Sequence, residues 1–203
     1  SLVDSFTAVT PERLVDTRDG TGGVSTPLGA GCTLRRDLDE TSVPANANAV
    51  SLSVTAISAQ AGFLTVHPCA TGRPDTSNVN TRPGFPTPNL AIGTPDVNRE
   101  ICVYTLFATD LLVDLAGWWS PGPDRFRSIE PFRAVDTRAD PAPVPPNTPR
   151  AVTIVGGDVP ADATAASVNL TVTETAGDGF LVAYPCGGDI PLASNVNFRR
   201  GET

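Results

Sequence analysis

Apolar and polar residues alternate along several stretches of this chain. In VSLSV, which starts at Val50, and in VNLTV, which starts at Val168, every second residue is Val or Leu, and the residues between them are Ser, Thr or Asn. A period of two is typical of a β-strand with one buried face. No stretch of about 12 residues shows the apolar spacing of an amphipathic helix. The pattern therefore predicts an all-β fold.

The predicted strands of the first half are short and separated by turn residues. The chain has 20 prolines and 18 glycines, which interrupt helices and mark turns. Pro11 either splits the first strand into two pieces or places it at the edge of a sheet. Short strands at this spacing favour a β-sandwich or barrel-like module. The predicted strands cover residues 6–16, 32–38, 49–58, 63–67, 78–81, 89–93, 101–106 and 111–118.

The sequence also contains an internal repeat. PERLVDTRDG, which starts at Pro11, returns as PFRAVDTRAD, which starts at Pro131, and the later blocks VPA, GFL, PC and SNVN follow in the same order in both halves. Self-similarity of this kind predicts a tandem duplication. We therefore divide the chain into copy one (residues 1–119), a linker rich in turn residues (120–125) and copy two (126–203).

Copy two is shorter than copy one. It contains no counterpart of residues 88–119, so we predict duplicated modules of which the second lacks its C-terminal strands. The apolar residues Val168, Leu170 and Phe180 would then lie exposed, which promotes aggregation. Three explanations stay open: the chain is a fragment of a longer repeat array, another chain supplies the strands, or the fold unit crosses the repeat boundary. We expect another segment to complete copy two, with self-association as one outcome.

Composition indicates a compartment and excludes some partners. The net charge of −8 disfavours nucleic acids and anionic membrane surfaces, because both attract basic proteins. No apolar run approaches the roughly 20 residues of a membrane span, so we expect no membrane insertion. The density of turn residues indicates an exported β-protein, and the four cysteines say less about the compartment than their even number suggests. The sequence predicts a secreted or cell-surface protein without a cofactor.

The four cysteines predict one disulfide and leave one question open. Cys69 ends one predicted strand and Cys102 lies in another strand of the same copy, so we expect these two to pair. Cys32 and Cys186 either bridge the copies or remain free or intermolecularly paired. No C-x-x-C occurs, and His67 has no second histidine to complete a zinc site. Acidic residues in the loops show no calcium-loop spacing, and we predict no metal site.

The repeated Asp-Thr-Arg motif supports two interpretations. It places Asp16 and Arg18 in copy one, and Asp136 and Arg138 in copy two, each after an apolar pair that ends a predicted strand. Two such loops would suit an aspartic-type hydrolase in which Asp16 and Asp136 share a proton. The arginine would instead form an ion pair with the aspartate and lower its pKa. We therefore favour a structural motif, in which Asp accepts hydrogen bonds from the turn backbone and Thr helps close the turn.

Two further groups are candidates for binding a ligand. Asn78 and Asn80 alternate with apolar residues, so their amides either bind sugar hydroxyls or satisfy backbone groups at strand ends. Trp118 and Trp119 are adjacent in a predicted strand, so one indole enters the core while the other faces solvent or the next module. An exposed indole stacks on a sugar ring or anchors a partner. Packing between the modules is the alternative that we favour.

Taken together, the blocks PxRxxDTR, GFLxxxPC, SNVN and TDLLVDLAGWW resemble repeat modules of secreted or surface-attached actinobacterial proteins, often arrayed in tandem or appended to hydrolases. The resemblance covers nearly the whole chain and implies export and a β-rich accessory module without transferable catalytic residues. We therefore expect a non-catalytic β-repeat protein with an adhesive, scaffolding or ligand-presenting role, whose partner is a surface glycan or another protein module. The alternatives are a carbohydrate-binding module and, less favoured, the hydrolase described above.

Overall fold

The computed structural model describes residues 4–123, 132–139, 143–157 and 159–201, which contain ten strands. In these residues there is no helix, and so none that could cross a membrane. The first eight strands coincide with the eight predicted ones, so the all-β prediction is confirmed. The strands are β1 (Asp4–Asp16), β2 (Thr33–Asp37), β3 (Ala49–Ser58), β4 (Gly62–Pro68), β5 (Val79–Thr81), β6 (Thr87–Gly93), β7 (Glu100–Thr105), β8 (Thr109–Pro121), β9 (Gly179–Leu181) and β10 (Val196–Phe198).

Copy one forms two antiparallel four-stranded sheets. The first sheet has the order β1-β8-β3-β6 and the second has the order β2-β7-β4-β5. Strands β8 and β7 are therefore inner strands, and each holds two neighbours in place. Both sheets are open at their edges, so the described strands form no closed barrel.

The two sheets share one hydrophobic core. Alternate residues of β3 and β8, such as Leu52 and Leu111, are almost fully buried, and Leu64 and Val103 of the second sheet belong to the same cluster. Burying one such side chain contributes about 1.5 to 3 kcal/mol. The alternation that predicted the strands thus also defines the core face of each sheet.

Strand β1 is an edge strand with an irregular register, in agreement with its proline. Its pairing with β8 shifts across the segment that contains Pro11, and shifts again between Arg13 and Val15. The second shift adds one residue to β1, so Leu14 and Val15 are both buried in the core although they are adjacent. Arg13 is left on the opposite face of the sheet, where it opposes Asp114.

Copy two forms a single pair of strands, β9 and β10, among the residues described. Phe180 opposes Asn197 in this pair, as Phe63 opposes Asn80 in the β4–β5 pair of copy one. Each residue pair of β9–β10 therefore corresponds to one residue pair of β4–β5, at the same difference in residue number.

The strand predicted at VNLTV is not observed. Residues 160–178 are all described, and no strand occurs among them. Val168 is 51% exposed, whereas its counterpart Leu52 in β3 is 1% exposed. Strand β3 is paired with β8 and β6, and the described part of copy two has no counterpart of either strand. Strands β9 and β10 do form, because each is the other's neighbour.

A short segment of copy two lies against the outer face of the first sheet. The backbone oxygen of Leu192 accepts a hydrogen bond from Arg13 Nη2 at 2.7 Å, and that of Ser194 accepts one from Ser53 Oγ at 3.3 Å. Ala193 lies between them and is buried. The two copies are thus in contact through backbone carbonyls of copy two and polar side chains of copy one, and the guanidinium carbon of Arg199 also lies 4.4 Å from the ring centroid of Phe85.

Strand β8 runs past residue 119, where the repeat places the end of copy one. Strand β8 continues through Ser120 and Pro121, which pair with Ser5 and Asp4 of β1. The strand therefore extends two residues into the predicted linker, 120–125. Residues 124–131, which include the end of this linker and the beginning of copy two, lie outside the described residues.

Candidate functional site

The Asp-Thr-Arg turn of copy one holds a buried carboxylate between two guanidinium groups. The side chain of Asp16, the last residue of β1, is 2% exposed. Arg18 donates to it from its backbone N at 3.0 Å, from Nε at 2.9 Å and from Nη2 at 2.7 Å, and Arg13 donates from Nη1 at 2.6 Å. Each carboxylate oxygen thus accepts two hydrogen bonds. The hydrogen bond from the Arg18 side chain is the main reason why the pKa of Asp16 is lowered to about 2.

Arg13 connects this turn to the inner strand β8. Its Nε donates to Asp114 Oδ1, and its Nη2 lies 3.4 Å from Asp114 Oδ2. Burial raises the pKa of Asp114, and the hydrogen bond and charge of Arg13 act in the opposite direction. The guanidinium of Arg13 therefore binds two buried carboxylates, those of Asp16 and Asp114.

Thr17 makes a second connection to β8. Its Oγ1 donates to Asp110 Oδ1 at 2.9 Å and accepts from the backbone N of Leu111 at 3.0 Å, while its own backbone N donates to Leu111 O at 3.1 Å. The threonine thus joins two strands, which is more than the turn closure expected of it. Our sequence reasoning missed Asp110 and Asp114. Two aspartates four residues apart, one immediately before a predicted strand and one within it, are the signal that points to them.

The Asp-Thr-Arg turn of copy two has the same internal geometry in a more exposed setting. Arg138 donates to Asp136 from its backbone N at 3.1 Å, from Nε at 2.9 Å and from Nη2 at 2.7 Å, and Arg133 donates from Nη1 at 2.8 Å. The side chain of Asp136 is 22% exposed. The Arg138 side chain again lowers the pKa of the carboxyl. The turn therefore forms without the strand that buries it in copy one.

The two aspartates do not act on each other. Asp16 and Asp136 each bind the arginines of their own turn, and no hydrogen bond or ion pair of the described residues joins them. An aspartic-type hydrolase needs one carboxyl that keeps its proton. The pKa of both carboxyls is lowered, so neither is suited to that role.

Asn78 and its counterpart Asn195 bind backbone groups. Asn78 Oδ1 accepts from the backbone N of Val66 at 2.7 Å, and Asn195 Oδ1 accepts from that of Ala183 at 2.7 Å. Asn80 is exposed in β5. The amide of Asn78 is therefore occupied by the backbone, while that of Asn80 faces solvent.

The two tryptophans lie on opposite faces of the first sheet. Trp118 packs against the core, and Trp119 lies against Phe6 with the ring centroids 4.5 Å apart. Ala116 of β8 has no partner on β3. This extra residue reverses the alternation of core-facing and outward-facing side chains that β8 follows as far as Leu115. Without the bulge, Trp119 would occupy the core side.

An aromatic surface lies on the second sheet and consists of Phe63, Tyr104 and Arg73. The two rings have centroids 6.0 Å apart, and the guanidinium carbon of Arg73 lies 4.5 Å from the centroid of Tyr104. The exposed Asn80 opposes Phe63 on the neighbouring strand. Phe63 and Tyr104 are distant in the sequence and meet through the pairing of β4 with β7, so our sequence reasoning missed this group.

The predicted disulfide between Cys69 and Cys102 is present, with the α-carbons 5.0 Å apart. It joins the end of β4 to β7, two adjacent strands. Cys32 and Cys186 are unbonded and exposed, so the alternative of a bridge between the copies is not observed.

One group of potential metal ligands occurs among the described residues, formed by Cys69, Asp96 and Glu100. The sulfur of Cys69 belongs to the disulfide. Asp96 accepts hydrogen bonds from the backbone N of Ala70, Asn98 and Glu100, which lower its pKa. Cys69 is therefore present for its disulfide, and the Asp96 carboxylate for the backbone hydrogen bonds that hold its loop.

Comparison with protein families, with curated proteins and with solved structures finds no match for this chain. Its function is therefore inferred from the side-chain geometry described above.

Proposed function

We propose that this chain is a non-catalytic β-repeat protein of the cell exterior with a scaffolding, adhesive or ligand-presenting role. The observation that carries the proposal is the network around Asp16. Its carboxylate is buried, both oxygens are occupied by guanidinium groups, and its pKa of about 2 keeps it ionised near neutral pH. In copy one the motif thus joins β1 to β8, and its aspartate is a poor proton donor.

Other features support a duplicated extracellular module. Copy one has two open sheets that share one core, which suits a β-sandwich. The equal register of β4–β5 and β9–β10, and the equal geometry of the two Asp-Thr-Arg turns, support a duplication that gave copy two the same fold in part. The Cys69–Cys102 disulfide suits an oxidising compartment. The resemblance to tandem modules of actinobacterial surface proteins agrees with these features.

The proposal is tested by assaying hydrolysis of peptide and polysaccharide substrates between about pH 3 and pH 7, the range in which paired carboxyls act. We expect no turnover. Turnover that disappears in Asp16→Asn or Asp136→Asn, while the variant remains folded at the assay temperature, would contradict the proposal.

A carbohydrate-binding role is the second candidate, and the aromatic surface is the observation that favours it. Rings beside an exposed amide are a common arrangement for stacking on a sugar and binding its hydroxyls. A glycan array with the whole chain tests it. Binding that is lost in Tyr104→Ala or Trp119→Ala without a change in melting temperature would support this role, and an array without bound glycans would contradict it.

A further inference from the structure

The loop between β4 and β5 lies over the outer face of the second sheet and carries Arg73. Its start is fixed by the disulfide from Cys69 to Cys102 of β7. Near its end, the backbone oxygen of Thr76 accepts a hydrogen bond at 2.6 Å from the hydroxyl of Thr65, which is fully buried in β4. Arg73 lies between these two attachments, so its position above the sheet is constrained from both sides.

The guanidinium of Arg73 lies over two aromatic rings and has no ion pair among the described residues. Its central carbon lies 4.5 Å from the ring centroid of Tyr104 and 5.8 Å from that of Phe63. Its described hydrogen bond is a long one, from Nη1 to the backbone oxygen of Pro74 at 3.4 Å, and the residue is exposed. Because the rings orient the plane of the guanidinium, the N–H groups along its edges can bind a planar anion through two parallel hydrogen bonds.

A ring and an amide extend this site across three neighbouring strands. Tyr104 lies on β7, Phe63 on β4 and Asn80 on β5, where it directly opposes Phe63. Neighbouring strands lie about 4.8 Å apart, so the row from Tyr104 to Asn80 is roughly 10 Å long, enough for a disaccharide. Arg73 lies closer to Tyr104, which leaves Phe63 as the ring for stacking on a sugar and Asn80 as the amide for its hydroxyls.

The charges on this face favour an anionic group at Arg73. Arg35, which opposes Cys102 on the same face, already forms an ion pair with Glu100. The charge of Arg73 is balanced by no carboxylate of the described residues. The net charge of −8 repels an anion at long range, but salt at about 0.15 M screens this repulsion beyond about 8 Å.

Copy two provides a comparison within the chain. Phe180 and Asn197 are the counterparts of Phe63 and Asn80, and they oppose each other in the same way. Ile190 stands at the position that corresponds to Arg73, and Phe180 is 62% exposed. The ring and the amide are therefore present in copy two without the cation, and we expect one anion-selective site per chain.

We propose that Arg73, Tyr104, Phe63 and Asn80 form a binding site for an acidic glycan whose sugar rings carry carboxylates. The carboxylate binds the edge of the Arg73 guanidinium, the apolar face of a sugar ring stacks on Phe63, and a hydroxyl binds the Asn80 amide. The inference rests on the carbohydrate-binding role given above as the second candidate, and it names the ligand class as a polysaccharide of uronic acids.

Titration calorimetry of the whole chain with trigalacturonate tests the site near pH 7 in about 0.15 M salt. The matched ligand is the methyl ester of the same trisaccharide, which keeps the rings and hydroxyls and removes the charges. We expect one molecule of the acid to bind per chain. The ester should bind about tenfold more weakly, because it cannot form the charge-assisted pair of hydrogen bonds with Arg73.

Variants of Arg73 locate the charge contact. We expect Arg73→Gln to bind the acid and the ester equally, and Arg73→Lys to keep part of the preference, because lysine retains the charge and loses the planar fork. The matched control is Arg133→Gln, which makes the same change in net charge at a side chain that is 68% exposed and should leave the preference unchanged. Arg73 is exposed, so its replacement should leave the chain folded, and the melting temperature checks this.

Several results would overturn the inference. They are equal binding of acid and ester by the unsubstituted chain, a preference for the acid that survives in Arg73→Gln, or the same loss of preference in Arg133→Gln. Tighter binding of a sulfated trisaccharide than of trigalacturonate would overturn the assignment to carboxylates.

Failure of this site and failure of the carbohydrate-binding role give different results. Equal binding of acid and ester that is lost in Tyr104→Ala would leave the carbohydrate-binding role standing and remove the preference for uronic acids. Absence of binding by both trisaccharides would also overturn the inference, and the glycan array then decides the carbohydrate-binding role separately. The hydrolysis assay is independent of either result.

Discussion

At the scale of single residues, the most informative comparison is between Asp16 and Asp136. Both carboxylates accept the same hydrogen bonds from the arginine two residues later. The Asp16 side chain is buried and the Asp136 side chain is partly exposed. Because solvent screens an exposed ion pair, the same contact contributes more to stability in copy one than in copy two.

The lowered pKa of Asp16 predicts a loss of stability in acid. Its pKa is about 2 in the folded chain against an ordinary value of 3.8 for an aspartate in water, so its charge stabilises the folded state by about 2 kcal/mol above pH 4. This contribution is lost as the pH falls from about 4 through 2. Both tryptophans lie in copy one, so tryptophan fluorescence during urea unfolding at each pH measures it. Asp114, whose pKa is raised, has the opposite sign and gains stability as the pH falls.

The variant Asp16→Asn distinguishes the effect of Asp16 on stability from that of Asp114. We expect its free energy of unfolding to be lower than that of the unsubstituted chain by about 2 kcal/mol at pH 7 and nearly equal at pH 2, since the asparagine does not titrate. Asp136→Asn is the matched control and should leave the tryptophan transition unchanged. A difference between Asp16→Asn and the unsubstituted chain that is independent of pH would contradict this account.

At the scale of secondary-structure elements, the inner strands β8 and β7 hold copy one together. Each has a neighbour on both sides, and β8 also receives Arg13 and Thr17 from the Asp-Thr-Arg turn. The contrast with copy two follows from this arrangement. Among the described residues copy two has no counterpart of β8 or β7, and its strands β9 and β10 form a sheet of two strands only.

The disulfide between β4 and β7 gives a prediction at this scale. It closes a loop with a sequence separation of 33 residues, so replacing Cys69 and Cys102 together by alanine should lower the free energy of unfolding of copy one by about 2 to 4 kcal/mol. Urea unfolding followed by tryptophan fluorescence measures the change. Cys32→Ala, which removes an unbonded cysteine, is the control and should have little effect. A loss of the same size in the control would argue against the role of the disulfide.

At the scale of the whole molecule, copy two is held against copy one by few side chains. The outer face of the first sheet presents Arg13 and Ser53, and the backbone of residues 192–194 lies over them. Ala193 is buried at this contact, but its side chain is small and contributes little apolar area. The contact therefore depends on close approach of the backbone more than on hydrophobic area.

This contact predicts different effects for neighbouring substitutions. Ala193→Glu places a charged side chain in a buried position and should release the segment, which would increase proteolytic cleavage within copy two. Leu192→Glu is the matched control, because the Leu192 side chain is 77% exposed and binds through its backbone oxygen. Limited proteolysis followed by mass spectrometry measures both variants. Equal cleavage of the two variants would show that the segment is not held at Ala193.

The sequence by itself determined the elements of copy one. The period of two and the spacing of prolines and glycines located eight strands, and Pro11 correctly indicated an edge strand with an interruption. The disulfide followed from placing Cys69 and Cys102 on two strands of one copy. These features depend on local preferences for backbone conformation and burial, which a few adjacent residues are enough to express.

Only the tertiary structure decided which residues meet. Arg13 and Asp114 are 101 positions apart, and no local pattern pairs them. The bulge at Ala116 decided which tryptophan faces the core, because one extra residue exchanges the two faces of a strand. The alternation at VNLTV predicts a strand, but no strand forms among residues 160–178, whereas the matching β3 lies between β8 and β6. A strand is stable through its neighbours, and the sequence of one strand does not specify them.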